Sequence, residues 1–156
     1  MHRSFAMIPF LLLSCLELLG QAEVFRKTHK KVAHIDSYKK YDVIRIDEPQ
    51  DLKVINKSLL ELVNYSRRKD DQGKVEEKLV IPGGQCFRTY YFDKYRNVVF
   101  IKEKIVKNDV TNFLNYYFDD NTLIAVTDDK SADLLAQIDK AELRDRIKGY
   151  WRIEIK

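Results

Sequence analysis

Apolar and polar positions follow two different periods along this chain. From Val75 to Thr127 the period is two: β-branched and aromatic residues alternate with charged ones, and short polar breaks interrupt them. That pattern predicts strands over Val75–Ile81, Phe87–Phe92, Asn97–Val106, Asn112–Phe118 and Thr122–Thr127. The breaks are Pro82-Gly83-Gly84, Asp93 to Asn97, Asn108-Asp109 and Asp119-Asp120-Asn121, which are turn-forming residues. Short breaks of this kind join antiparallel neighbours. Asp42–Asp47 (DVIRID) reads as one more short strand before them.

Elsewhere the period is nearer 3.6. Leu52, Ile55, Leu59, Leu62 and Val63 form one apolar stripe, with Arg67-Arg68-Lys69 at its end, and predict a helix over 51–67. Ser131 as a cap, Leu134, Leu135, Ile138, Ala141 and Ile147 as an apolar side, and Gly149 as a stop predict a second helix over 131–148. Alternation returns in Tyr150–Ile155, which predicts a final strand. The segment 23–41 is polar with a loose apolar stripe (Phe25, Val32, Ile35, Tyr38) and reads as a weak helix or a basic arm.

The fold class that follows is α+β: an antiparallel sheet of five to seven strands, built of hairpins and packed by one or two helices. Strand, helix, then consecutive strands is an order similar to that of cystatin-like or NTF2-like curved sheets. The resemblance is topological and implies no activity. The Gln-x-Val-x-Gly loop of cystatin inhibitors is missing, so the resemblance does not extend to protease inhibition.

The first 22 residues carry a separate signal. A basic start (His2-Arg3), an apolar run from Phe5 to Leu19 and small residues at Gly20 and Ala22 make the three-part pattern of a secretory leader cut after Ala22. The run is short for a membrane span and is interrupted by Pro9 and Glu17. Leu12-Leu13-Ser14-Cys15 resembles the lipobox of bacterial lipoproteins and makes lipidation of Cys15 the alternative. The expected domain is then 23–156, secreted or periplasmic. Its single cysteine, Cys86, has no partner for an internal disulfide.

Charge adds little beyond this. The formal balance is +4, and Arg3 and Glu17 leave together with the leader. The excess sits in 26–40, where Arg26, Lys27, Lys30 and Lys31 offer contact with an anionic surface. Nucleic acid is not an expected partner of an exported chain, and no cofactor motif is present.

The tetrapeptide Tyr-Tyr-Phe-Asp occurs twice, at Tyr90 and again 26 residues later at Tyr116. Hairpin duplication accounts for the spacing. In a strand, Tyr90 and Phe92 share one face and Tyr91 the other; Tyr116, Tyr117 and Phe118 repeat this. One reading of the rings is cross-strand packing. The other is a ligand wall of Tyr91, Tyr117 and Tyr95, since binding sites favour aromatic walls. The function that fits is a non-enzymatic binding or interaction module with an unspecified protein or small-molecule ligand.

Candidate catalytic chemistry is thin. His29 and His34 are five apart and do not share a helical face for a metal. A hydrolase using Cys86 as nucleophile, or the acidic pairs Asp119-Asp120 and Asp128-Asp129, is the alternative function. The same pairs have the ligand type for calcium without EF-hand spacing. Asn56-Lys57-Ser58 and Asn64-Tyr65-Ser66 match the glycosylation tripeptide.

Overall fold

The computed structural model describes residues 8–47, 59–66, 72–130 and 132–150. A 29-residue helix, α1 (Ile8–Asp36), precedes seven strands: β1 (Asp42–Asp47), β2 (Leu59–Ser66), β3 (Gly73–Ile81), β4 (Gly84–Phe92), β5 (Val98–Lys107), β6 (Val110–Asp119) and β7 (Thr122–Asp128). A short 3-10 turn (Leu135–Gln137) and α2 (Lys140–Tyr150) follow. The strands form one antiparallel meander in chain order, β1 to β7. This is the α+β, hairpin-built sheet that the alternation implies.

The turns explain why the meander forms. Asn108 and Asp109, then Asp120 and Asn121, all have positive φ, as two-residue hairpins of the right twist require. Asn and Asp accept that conformation more readily than other side chains. Pro82 presets the β3–β4 turn, and Gly83 supplies its φ of 79°. In the β4–β5 loop, the Asp93 carboxylate accepts from the backbone N–H groups of Tyr95 and Asn97, 2.9 Å each, and closes the longer turn.

Three expectations are corrected. Leu59 to Ser66, expected as the second half of a helix over 51–67, is strand β2, in register with β1 and β3. The remainder of that expected helix lies outside the described residues apart from this strand. The helix expected from Ser131 begins instead at Lys140. Asp139 is its cap, accepting from the N–H groups of Ala141 at 2.9 Å and Glu142 at 3.0 Å. It runs through Gly149 to Tyr150, so Tyr150 is helical; 151–156, the rest of the expected final strand, lie outside the described residues. The segment 23–41 resolves into the end of α1, followed by a turn into β1.

Each face of the sheet has its own cover. Leu62, Val75, Leu79, Cys86, Tyr90, Ile101, Tyr116 and Val126 pack with Leu143 and Ile147 of α2. On the opposite face, Tyr91, Val99, Phe100, Tyr117 and Ala125 pack with Ile35 of α1, with Phe25 and Val32 beside it. The cover on this face is α1, while Leu59–Ser66 of the helix expected over 51–67 lies within the sheet itself.

α1 lies across the strands. The cross-strand row beneath it runs Tyr65, Lys74, Tyr91, Phe100, Tyr117. Phe25 meets Tyr117 at 4.3 Å between ring centres, and Asp36 reaches Lys74 at 3.3 Å and Tyr91 at 3.2 Å. Eleven helical residues rise about 16 Å. Three strand spacings are about 14 Å. The helix therefore spans β6 to β3 along a single row.

Candidate functional site: a buried ionic row and an open lysine–phenylalanine row

The tyrosine repeat is the visible part of a longer one. Glu76–Asp93 and Lys102–Asp119 are successive hairpin units offset by 26 residues. Glu77 and Glu103, Lys78 and Lys104, Val80 and Val106, and Phe87 and Phe113 are identical between them, besides the four residues already noted. The β-bulge repeats as well: β4 shifts register between Tyr91 and Phe92, β6 between Tyr117 and Phe118. The two copies deliver two chemically distinct rows, one on each face.

On the α2 face the register aligns Glu77, Arg88 and Glu103 across β3, β4 and β5. Arg88 pairs with Glu77 at 3.1 Å and, through Nε, with Glu103. The tyrosines of the repeat complete the arrangement. Tyr90 donates its hydroxyl to Glu77 at 2.6 Å, and Tyr116 donates to Glu103 at 3.1 Å. Both glutamates are buried. Among the described residues, Glu77 Oε2 is a buried side-chain oxygen with no hydrogen-bond partner.

Burial dominates the acid–base character here. It raises the Glu77 carboxyl above the ordinary range, against the pull of Arg88 and Tyr90. Burial also raises the phenols of Tyr90 and Tyr116, with Glu77 and Glu103 adding to it respectively. The Cys86 thiol, beside Glu103 at 3.6 Å, is pushed up to about 12 by burial, so it is protonated at neutral pH. A protonated, buried thiol is a poor nucleophile. Burial works against the Arg88 guanidinium, but the phenol and carboxylates around it outweigh that, and it stays charged.

On the α1 face, the row four residues further along each strand runs Glu61, Lys78, Phe87, Lys104, Phe113. The ammonium groups of Lys78 and Lys104 sit 5.8 and 5.9 Å from the centre of the Phe87 ring, one from each neighbouring strand. The cluster packed under α1 includes none of these residues. Lys102 and Lys104 are exposed, and so is Val80 on the same face. Glu61 pairs with Arg45 at 3.4 Å, and Glu76 with Lys74 at 3.1 Å.

The sequence-derived candidates fall as follows. Tyr91 and Tyr117 do share a face, 5% and 6% exposed, beneath α1 and on either side of Phe100. The Tyr117 hydroxyl lies 3.4 Å from His29 Nε2. Tyr95 stands apart on the β4–β5 loop, 69% exposed, with Lys94 over its ring. Arg26, Lys27, Lys30 and Lys31 are exposed on α1. Of these, Arg26 and Lys27 pair with Glu23 at 2.7 and 3.5 Å. Asp128 is spent on its own turn, accepting from the N–H groups of Lys130 and Ala132. Among the described residues no group of three or more His, Cys, Asp or Glu is placed to hold a metal. Nor, among them, is any helix long and apolar enough to cross a membrane.

No family model, no curated protein and no solved structure matches this chain.

Proposed function

We propose that this protein is an exported, non-enzymatic binding module that holds an anionic partner on the part of the sheet α1 leaves open. The observation that carries the reading is the row Lys78, Phe87, Lys104, Phe113: alternating cations and rings, duplicated by the hairpin repeat and outside the packed cluster under α1. Aromatic surface with a few fixed charges is the usual make-up of a binding surface. The exposed Lys102, on the row between this one and α1, adds positive charge beside it.

Export is inferred from the leader pattern ending at Ala22, with lipidation at Cys15 as the other form of the same idea. A cystatin-like curvature, suggested by the strand order, would make the open half-face concave; the proposal does not depend on it. Tyr91 and Tyr117 enter as the seat of α1, which borders the open row, and Tyr95 lies away from it on the β4–β5 loop. The hydrolase alternative draws no support from a buried Cys86 thiol pushed up to about 12.

The test is an amide NMR titration with poly-L-glutamate. Shifts are expected to concentrate on Lys78, Phe87, Lys102, Lys104 and Phe113, and to vanish in Lys104→Glu with an unchanged melt. Shifts confined to the hairpin tips, or surviving that substitution, would rule the surface out.

A further inference from the structure

Resting on that reading, we infer that the partner presents an acidic amphipathic helix, laid beside α1 along the lysine–phenylalanine row. α1 itself supplies the geometric precedent. It lies along one cross-strand row of this face and spans β6 to β3 from Phe25 to Asp36. The open row runs parallel to it across the same strands, from Lys78 on β3 to Phe113 on β6.

The two rows are four residues apart along each strand, or about 13 Å. Packed helices sit 8–10 Å apart, so one helix fits beside α1 without displacing it. Step length agrees as well. One helical turn rises about 5.4 Å, and one strand spacing is about 4.8 Å. Successive turns of the incoming helix therefore meet successive strands.

The chemistry of the row then dictates the pattern on that helix. Acidic residues face Lys78 and Lys104, and apolar ones face Phe87 and Phe113, alternating at i, i+3 or i+4, i+7 and i+10 or i+11. More acid is expected on the flank toward α1, where the exposed Lys102 stands between the two rows. An extended peptide has no matching step: its side chains recur on one face about every 6.6 Å.

The experiment is selection of a random peptide library on the folded full chain, followed by synthesis of the enriched sequences. Enriched peptides are expected to be net acidic with the turn-spaced alternation. They should gain helical circular dichroism on binding and lose at least tenfold in affinity to Lys104→Glu and to Phe87→Ala. Exchanging the peptide acid that faces Lys104 for lysine should restore binding to Lys104→Glu, a readout that a misfolded variant would not give. Enrichment of basic, proline-rich or non-helical peptides, or affinities indifferent to Lys104→Glu, would overturn the helix. If poly-L-glutamate still maps to the row in that case, the binding surface stands and only the helical partner is lost. If it does not, both readings fall.

Discussion

Arg88 stands between two carboxylates that the fold takes out of water. Replacing it with Met leaves Glu77 and Glu103 buried without the guanidinium that bridges them. Breaking a buried pair from one side costs about 3–5 kcal/mol. The expected result is a fall of that size in urea-unfolding stability, with most of it recovered when Glu77→Gln and Glu103→Gln are added. Glu77→Gln alone has a pH signature. The folded carboxyl titrates above its unfolded value, so its favourable contribution is complete below the ordinary carboxylate range. That contribution is lost as pH rises through the folded value. The glutamine variant is therefore expected to lose less stability than the parent between acid and neutral pH, measured as midpoints across that window.

At the scale of elements, α1 joins an apolar first part to a packed second part. Every described ring or ion contact between its side chains and the sheet lies from Phe25 onward, just past the expected cut after Ala22. A chain beginning at Glu23 is expected to melt within a few degrees of the full chain. Ile35→Ala, at a position only 1% exposed, should cost about 2–5 kcal/mol. The strands from β3 to β7 were legible because alternation and turn residues agree there. β2 was not. Its Leu59, Leu62 and Val63 are buried, and a register shift between Leu59 and Glu61 breaks the period of two, so the sequence takes on helical spacing. The pattern predicts α2 too early because Leu134, Leu135 and Ile138 do reach the core, but from a 3-10 turn and the chain around it. The two rows are hidden in the sequence for another reason. A charge on a strand reads as a solvent-facing position, and only cross-strand register shows that Glu77, Arg88 and Glu103 meet inside. The clue available was periodicity: Glu77 and Glu103 recur at the same interval as the tyrosines.

For the whole molecule, the meander makes each strand the neighbour of the next, and among the described residues β1 and β7 are the edges. These edges differ. The chain after β7 folds back along it, with Leu134 N–H donating to Val126 O at 2.8 Å and a bridge from Thr127 to Asp133. Among the described residues β1 is paired to β2 alone, and Val43 is 54% exposed. Hydrogen exchange should therefore be fastest in β1, slower in β7 and slowest in β4 and β5. Equal protection of β1 and β5 would mean that β1 is covered by a second chain or by residues beyond those described.

The 26-residue unit contains two strands, an even number. Gain or loss of one unit returns the polypeptide to the same end of the sheet, pointing the same way, with every residue on its original side. Such a ribbon changes width in whole hairpins while its termini keep their helices. Each added unit would carry another lysine and phenylalanine to one surface and another glutamate to the other. The breadth of the lysine–phenylalanine row is thus countable in the gene as copies of a single segment.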